Sequence, residues 1–279
     1  MSRIINNDDD LLTNDNVPST MFLPLYGRMI ASNKFPEILQ DHTAEYICNN
    51  VDYDFSKLTK SYGGEYTTST CLIRSYRNDQ FVKNYLKDFP NGVVVNLGAG
   101  LDDTFSRINN GSVLWYNLDL PEVIKYREKF IPSCNNSKNI SKSMFDYTWF
   151  NDVSVPSNVP ILIIAEGIFF YFAHSEIIEL YNMISKHFKT GFLYFDACSQ
   201  KGVDYANKIV RKTGNSNSEM KFWVNNEQEI LSWSKTIKNV KCSKFFDEFT
   251  SFKKFKFSTR FIMKITDLSK RTKFVTIEW

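Results

Sequence analysis

The sequence of 279 residues lacks any uninterrupted run of about 20 apolar residues, the length that a helix needs to cross a bilayer. Its first residues, MSRIINNDDDLLTNDN, contain neither the apolar core of a signal peptide nor an arginine-rich presequence. With 23% charged and 43% hydrophobic residues, its composition is that of a folded globular protein. We therefore expect a cytoplasmic protein without a membrane partner.

Cysteine is scarce, and no cysteine is arranged as part of a metal site. The five cysteines are scattered, at Cys48, Cys71, Cys134, Cys198 and Cys242. Neither a CxxC motif nor a cysteine–histidine ligand spacing occurs among them. We interpret them as reduced thiols, which are usual in the cytosol, and we predict no metal.

Positive charge is concentrated near one end of the sequence. Residues 235–279 carry 12 Lys and Arg against 4 Asp and Glu, whereas the first 234 residues carry 22 against 27. The basic end could contact an acidic partner such as a nucleic acid, or it could be the solvated face of two edge strands. We favour the solvated face and expect no nucleic-acid partner.

Four short apolar runs predict the strands of a buried parallel sheet. They are VVVNL at 93–97, VLWYNL at 113–118, ILIIA at 161–165 and GFLYFDAC at 191–198. The runs are continuous rather than alternating, which is typical of strands covered by helices on both faces. Helix-length segments separate them; Pro121 is suited to the first turn of one helix, and Ser175 to capping another.

The segments outside these runs predict further elements. Residues 33–50 and 75–89 have helical spacing of apolar residues. Residues 260–265 (RFIMKI) and 273–279 (KFVTIEW) alternate and predict a terminal antiparallel pair of strands. Residues 200–250 are predicted to be a helical insertion. Together these patterns predict an α/β fold with a doubly wound sheet and a mixed edge, and residues 1–18 are expected to be frayed.

The segment NLGAGLDD directly follows the first predicted strand and is the first chemical signal. Gly98 and Gly100 allow a tight turn and a close approach of the backbone to a ligand. A dinucleotide fingerprint would have a third glycine where Asp103 stands. Asp102 and Asp103 also place negative charge where a pyrophosphate would lie. The segment therefore favours a ligand that has a cationic part and no phosphate.

Two further carboxylates follow predicted strands. Asp119 lies 19 residues after Gly100, a spacing suited to accepting both hydroxyls of a ribose, although Asp119 could instead cap the helix at Pro121. Glu166 needs a positive partner to offset its desolvation, either a ligand's sulfonium or ammonium group or a structural ion pair. A ribose, a cationic centre and no phosphate together indicate S-adenosylmethionine.

Three segments in order carry a family resemblance: NLGAGLDDTFSR, YNLDLPEVIKYRE and IAEGIFFYF. They resemble the leucine carboxyl methyltransferase family, which includes bacterial polyketide O-methyltransferases. The segments TMFLPLYGRMIASNKFPEILQDHTAEYI and DYDFSKL resemble the helical lid of the bacterial members. The resemblance implies a Rossmann-like class I methyltransferase sheet of seven strands. We place the lid at residues 1–90 and the cofactor-binding domain at residues 91–279.

The resemblance also implies roles for individual residues. The cofactor would be bound by Gly98, Ala99, Gly100, Asp119, Leu120, Ser143, Met144, Glu166 and Gly167. Asp119 would hold the ribose, and Glu166 would lie beside the methionine amino group and the sulfonium. Tyr171 matches an aromatic position near the transferred methyl group. Arg74 would bind a carboxylate of cofactor or substrate, unless it is a surface arginine at a helix start.

The adenine side departs from the family pattern. Where an acid is often found, this sequence has Ser143 and Met144, followed by Asp146. Adenine could be held by backbone groups and by packing on Met144, or by Asp146. The identity of the adenine contact therefore stays open at this point.

The resemblance implies methyl transfer from S-adenosylmethionine, with S-adenosylhomocysteine as product. A carboxylate acceptor is ionised at neutral pH and needs no base, whereas a hydroxyl acceptor is helped by one. Only three histidines are present, and His174 alone could face the pocket. The scarcity of bases favours O-methylation of a carboxylate of a small molecule over that of a hydroxyl. The alternatives are a non-catalytic cofactor-binding module and a nucleic-acid methyltransferase.

Overall fold

The structure is a computed structural model that describes residues 18–56, 58, 64–212 and 219–279. The expected fraying of residues 1–18 falls outside these ranges except for its last residue, which begins a helix. Within the same ranges, no helix is both long enough and apolar enough to cross a membrane.

One mixed sheet forms the centre of the described chain. Its strands are β1 (Val93–Leu97), β2 (Leu114–Asp119), β3 (Ser137–Ser141), β4 (Ile161–Ala165), β5 (Gly191–Cys198), β6 (Asn239–Lys244) and β7 (Thr272–Glu278). The order is β3-β2-β1-β4-β5-β7-β6, and β7 runs antiparallel to both neighbours. This confirms the predicted doubly wound, Rossmann-like sheet of seven strands. The order reverses between β1 and β4, where open α/β sheets bind ligands.

Helices precede the sheet and cover it. They are α1 (Pro18–Lys34), α2 (His42–Asn50), α3 (Glu65–Asp88), α4 (Thr104–Ile108), α5 (Pro121–Arg127), α6 (His174–His187), α7 (Gln200–Lys212), α8 (Glu227–Leu231) and α9 (Phe257–Leu268). Short 3₁₀ helices span Tyr147–Asp152, Phe169–Tyr171 and Asp247–Ser251. Pro121 begins α5, as predicted, because proline lacks the N–H that the first turn leaves unused.

Alternate residues of the central strands enter two apolar layers. Val95 of β1 packs in the layer that contains Ile177 of α6, whereas Val94 packs in the layer that contains Leu72 of α3. Every residue of β1 and β4 is buried. This two-sided burial explains why the sequence of these strands is continuously apolar.

The first two helices cover the turn that follows β1. Phe22 and Leu25 of α1 and Ile47 of α2 form a buried cluster with Leu101 of the turn and Tyr126 of α5. The prediction of one helix over residues 33–50 is wrong, since α1 ends at Lys34 and α2 begins at His42. A proline at position 36 disfavours helix in the residue before it, and the carboxylate of Asp41 caps α2 by accepting from the N–H of Ala44 at 2.9 Å.

The predicted pairing at the end of the chain is also wrong. Residues 260–265 lie in α9. β7 pairs instead with β5 and with β6, and β6 falls inside the segment predicted as a helical insertion. In α9, Met263 is buried while Phe261 and Ile265 are exposed, which a helix explains and strand alternation does not. β6 is an exposed edge strand with the sequence NVKCSK, so its apolar signal is weak.

Gly191 begins β5 at a point where there is no room for a side chain. A Cβ there would lie 2.5 Å from the Trp279 ring and 2.6 Å from the carbonyl oxygen of Ile161. We expect Gly191→Ala to lower the free energy of unfolding by about 1–3 kcal/mol, measured by urea denaturation. Gly64→Ala is the control, because a Cβ there meets no atom within 4 Å. Equal losses in the two variants would contradict the packing argument.

Candidate active site

The carboxyl ends of three parallel strands bring the predicted site residues together. β1 leads into the glycine turn, β2 ends at Asp119, and Glu166 directly follows β4. β1 pairs with β2 on one side and with β4 on the other. The three chemical signals of the sequence therefore lie side by side at the point where the strand order reverses.

The glycine turn packs against the end of β2 on one side and against the segment after β4 on the other. Gly98 and Gly100 have φ angles of 64° and 48°, in the left-handed region that favours glycine. The N–H groups of Gly98 and Ala99 donate to the carbonyl oxygen of Leu118 at 2.8 and 3.2 Å. A Cβ on Gly98 would lie 2.8 Å from the side chain of Ile168, which follows β4. The turn thus needs glycine for its conformation and for its close packing.

The Asp119 carboxylate is anchored to the glycine turn. Its Oδ2 accepts from the N–H of Gly100 at 2.7 Å, and its Oδ1 accepts from the N–H of Leu120 at 2.8 Å. Burial raises the pKa of Asp119, and the two N–H donors oppose that rise. Leu120 is the N-cap residue of α5 and Asp119 is not. Each carboxylate oxygen keeps a further acceptor position, so the group can still accept hydroxyl donors.

Glu166 has an unused acceptor inside the site. Its Oε1 accepts from the hydroxyl of Ser75 at 3.0 Å, whereas its Oε2 is buried and has no hydrogen-bond partner among the described residues. Burial, reinforced by the negative charge of Asp102, raises the pKa of Glu166 to about 7. A buried acceptor without a donor costs about 1–3 kcal/mol. The site therefore favours a ligand that brings a positive donor to this oxygen.

Arg74 of α3 is mostly buried and is not a surface arginine. Its Nε donates to Oδ2 of Asp196 at 2.9 Å, and Oδ1 of Asp196 accepts from the N–H of Gly167 at 2.7 Å. Burial acts to lower the pKa of the Arg74 guanidinium, but Asp196, Cys71 and Glu166 together outweigh burial and raise it. The sequence reasoning missed Asp196, although a lone acid within the apolar run GFLYFDAC is a signal that could have found it.

Tyr171 lies at the same sheet edge, in the segment after β4. It ends the 3₁₀ helix Phe169–Tyr171, three residues after Ile168, which packs on the glycine turn. Tyr171 is 37% exposed, whereas Phe169 and Phe170 are buried in the apolar core. Of this aromatic run, Tyr171 is therefore a side chain that a bound ligand could reach.

The predicted adenine residues follow β3, next to Asp119. The last residue of β3, Ser141, pairs with Asp119 across the sheet. Met144 is buried, and its carbonyl oxygen accepts from the indole N–H of Trp149 at 3.1 Å. Asp146 is exposed, and its Oδ1 accepts from the N–H and the hydroxyl of Thr148. Asp146 thus caps the next 3₁₀ helix.

A buried arginine that the sequence reasoning missed ties α1 to the glycine turn. The Nε of Arg28 donates to Oδ2 of Asp41 at 2.8 Å, and its Nη2 donates to the carbonyl oxygen of Leu101 at 2.9 Å. Asp41 also caps α2. One side chain thus links the two helices that cover the site to the turn beneath them.

Arg107 of α4 joins the same network from the other side. Its Nη1 donates to Asp41 at 3.1 Å, and its Nε and Nη2 form a fork on Asp79 at 2.9 and 3.0 Å. Its Nη2 also lies 3.3 Å from Oδ1 of Asp102. Three carboxylates from three separate segments therefore meet at one buried guanidinium.

This network affects the negative charge of Asp102, which with Asp103 forms the acidic pair after the glycine turn. Although burial acts to raise the pKa of Asp102, Arg107 and Arg28 lower it to about 2. Asp103 accepts from the hydroxyl of Thr43 at 2.7 Å. The charge of Asp102 is thus balanced inside the protein, so the repulsion of a pyrophosphate that we expected from it is weaker than the sequence suggested.

His174 is packed within the protein. Its Nε2 lies 2.9 Å from the carbonyl oxygen of Trp223, and its ring packs 4.3 Å from the Trp223 ring. Because a carbonyl oxygen only accepts, Nε2 carries the proton in this contact and is not available as a base. The arrangement favours a structural role for this histidine.

The chain is similar to known methyltransferases. The model of the leucine carboxyl methyltransferase family matches residues 23–185, which is more than half of the chain. A tetracenomycin polyketide synthesis O-methyltransferase, TcmP of Streptomyces glaucescens, is 28% identical over 203 residues, covering 71% of this chain and 73% of that protein. An S-adenosyl-L-methionine-dependent methyltransferase, dpfgK of Gibberella zeae, is 23% identical over 205 residues, covering 68% and 69%.

Solved structures share the fold. The plantazolicin methyltransferase BamL, crystallised with a triazolic desmethylPZN analog and SAH, matches with a TM-score of 0.52 at 14% identity, over 94% of this chain and 99% of that one. A duf574 family protein from Streptomyces avermitilis matches with a TM-score of 0.57 at 10% identity, over 84% and 94%. Because the sequence identities are this low, these matches show a shared fold and nothing more.

The raised pKa of Glu166 predicts how stability depends on pH. The folded chain keeps a proton that the unfolded chain releases between pH 4.5 and about 7, so the free energy of unfolding falls as pH rises through that window. Glu166→Gln keeps an acceptor for Ser75 and removes the titration. We expect this variant to flatten the pH dependence. Above pH 7, its free energy of unfolding should exceed that of the wild type by about 1–3 kcal/mol.

Urea denaturation at a series of pH values measures this effect. The control is Glu45→Gln, because Glu45 is an exposed carboxylate on α2. A wild-type slope that persists in Glu166→Gln would show that another group titrates in this window.

Proposed function

The chain belongs to the leucine carboxyl methyltransferase family, and we propose that it is an S-adenosylmethionine-dependent methyltransferase that methylates an oxygen atom of a small molecule. One observation carries the proposal. The glycine turn, the anchored carboxylate of Asp119 and the unpartnered Oε2 of Glu166 meet where the strand order reverses. The similarity to an O-methyltransferase, TcmP, supports oxygen as the acceptor atom.

The residues at this edge fit S-adenosylmethionine in charge and in hydrogen bonding. Asp119 is held by two backbone donors, so its remaining acceptor positions are oriented for the two ribose hydroxyls. The turn at Gly98, Ala99 and Gly100 would lie along the methionine part, since a Cβ on Gly100 meets only Met21, at 3.7 Å. Glu166 would accept from the methionine ammonium group through its unpartnered oxygen.

The adenine would lie at the end of β3. Ser143 and Met144 follow Ser141, which pairs with Asp119 across the sheet, and Leu120 follows Asp119 directly. Asp146 already caps a 3₁₀ helix and is exposed. We therefore assign adenine to packing against Met144 and Leu120 rather than to a hydrogen bond with Asp146.

The chain's own residues would align the acceptor with the methyl group of the cofactor. When bound, S-adenosylmethionine supplies a methyl group that its sulfonium charge activates for in-line transfer. Asp196 fixes Arg74 beside Gly167, and the guanidinium has donors beyond the one that Asp196 uses. Arg74 would use them to hold a carboxylate of the acceptor or cofactor, while Tyr171 would line the position of the methyl group.

A carboxylate is the acceptor group that this site suits best. It is already ionised at neutral pH and needs no base. The Nε2 of His174 contacts the carbonyl oxygen of Trp223 and its ring packs on the Trp223 ring, so we assign this histidine a structural role rather than that of a base. A phenol or alcohol is the second choice, because it would need a base from elsewhere.

We also propose that the protein works in the reducing environment of the cytoplasm. All five cysteines are free. Burial raises the pKa of Cys48 and Cys198 to about 12, which keeps these two thiols protonated and unreactive at neutral pH. Cys48 and Cys198 thus have the buried, protonated thiols of structural cysteines.

Cofactor binding tests the assignment of Asp119. We expect the wild type to bind S-adenosylhomocysteine in calorimetric titration and Asp119→Asn to bind it about tenfold or more weakly, because ribose hydroxyls lose a charged acceptor. Asp152→Asn is the matched control, since Asp152 is a surface carboxylate paired with Lys142. Equal affinity in wild type and Asp119→Asn would remove Asp119 from the site.

Turnover tests the role of Arg74. We expect release of S-adenosylhomocysteine with a small carboxylic acid as acceptor, and a kcat/KM about tenfold or more lower in Arg74→Lys, which keeps the charge but loses the planar fork. Arg77→Lys is the control, because Arg77 lies one turn further along α3 and faces Asp247 and Glu248. Turnover with phenols alone would reassign the acceptor, and cofactor binding without any turnover would indicate a non-catalytic module.

A further inference from the structure

Helix α9 presents large apolar side chains to solvent. Phe257, Phe261, Ile262, Ile265 and Leu268 are between 42% and 76% exposed. Single exposed apolar residues are ordinary on protein surfaces, but a contiguous group on one element marks an interaction site. Five such residues within one helix of 12 residues form a contiguous group.

Four of these residues form a continuous stripe. Phe257, Phe261, Ile265 and Leu268 recur at intervals of four, four and three residues, so they lie within roughly 80° of the helix circumference. The rings of Phe257 and Phe261 stack with centroids 6.4 Å apart. On the opposite side, Met263 is buried in the core. The inner face of the helix therefore packs on the core, and the stripe faces away from it.

Basic residues surround this stripe. The guanidinium of Arg260 lies 6.0 Å from the centre of the Phe257 ring. Exposed lysines stand on α9 and on the segments next to it, at Lys253, Lys256, Lys264 and Lys270, whereas Lys254 there is paired with Glu37 at 2.7 Å. Long basic side chains can lie along apolar surface while their charges reach polar groups. The stripe thus has a positive rim.

Acidic groups near the stripe are largely neutralised. Asp267, the acid of α9, is buried and accepts from the N–H groups of Phe246 and Asp247 at 3.1 and 2.8 Å. Glu248 lies 3.4 Å from Arg77. The surface around the stripe therefore has a strong excess of positive charge.

We propose that α9 is an interfacial helix that docks on the surface of an anionic lipid bilayer. The stripe would lie at the boundary between headgroups and acyl chains, and the basic rim would contact lipid phosphates. An exposed apolar stripe with a basic border is the pattern of such helices. We had expected no membrane partner because the sequence has no spanning run, but a surface helix needs none.

Two other partners fit the surface less well. A second copy of the chain on a two-fold axis would place the two positive rims against each other. A nucleic acid would match the charge, but its phosphate backbone offers no apolar surface for Phe257, Phe261, Ile265 and Leu268. An anionic bilayer matches both properties.

Vesicle sedimentation with the full chain tests the proposal. We expect binding to vesicles of phosphatidylcholine with phosphatidylserine, and much less binding to phosphatidylcholine alone. Lys264→Gln should weaken binding to the anionic vesicles about fivefold. The double variant Phe261→Ser and Leu268→Ser should weaken it about tenfold or more, because apolar area no longer enters the bilayer. Since these side chains are exposed, the thermal midpoint should stay near that of the wild type.

Tyr46→Ser is the control, because Tyr46 is 52% exposed on α2, away from the stripe. The proposal is overturned if the wild type does not bind anionic vesicles, or if the serine double variant binds them as tightly as the wild type. It is also overturned if light scattering shows a dimer that Phe261→Ser converts to a monomer. Tight binding to duplex DNA that the double variant loses would assign the stripe to nucleic acid instead.

Discussion

The buried guanidinium of Arg107 is the interaction on which the site depends. It contacts Asp41 before α2, Asp79 in α3 and Asp102 in the glycine turn. These carboxylates come from segments that are far apart in the chain, and Arg28 adds a second link between Asp41 and the turn. Breaking a buried ion pair by removing one member costs about 3–5 kcal/mol, because the remaining charge stays in a poorly solvated place. The covering helices, α3 and the glycine turn therefore keep a common geometry.

The same network sets the electrostatics of the proposed cofactor site. Asp102 acts to raise the pKa of Glu166, while Arg74 and Arg28 act to lower it. The charges around Glu166 thus act in opposite directions, and its own burial is the largest cause of the raised pKa. The proposed site for a positive ligand therefore contains a carboxylate whose ionised form the protein itself stabilises only weakly.

Much of the fold could be predicted from the sequence, because buried strands have a clear pattern. β1, β4 and β5 match the predicted runs residue for residue, since both of their faces are covered by helices. β3 and β6 were missed because SKNIS and NVKCSK are polar strands at the two edges of the sheet. Residues 260–265 were assigned to a strand because a run of six residues fits both periodicities.

The same distinction holds for the site. Gly98, Asp119 and Glu166 could be found because each follows a strand, so their positions depend on local sequence. Asp196 and Ser75 could not be assigned as partners, because their contacts with Arg74 and Glu166 join residues 122 and 91 positions apart. Sequence periodicity carries no information on pairings of that range.

A carboxyl group that titrates near neutrality makes cofactor exchange sensitive to protons. In the proposed enzyme, a cation beside Glu166 favours its ionised form, so tight binding of the sulfonium form is accompanied by loss of a proton to solvent. S-adenosylhomocysteine lacks the charge on sulfur but keeps the methionine ammonium group, so Glu166 loses only part of the stabilisation of its ionised form after methyl transfer. Protonation of Glu166 would then weaken its hold on the cofactor ammonium group, and a mildly alkaline medium, which keeps Glu166 ionised, would slow the exchange.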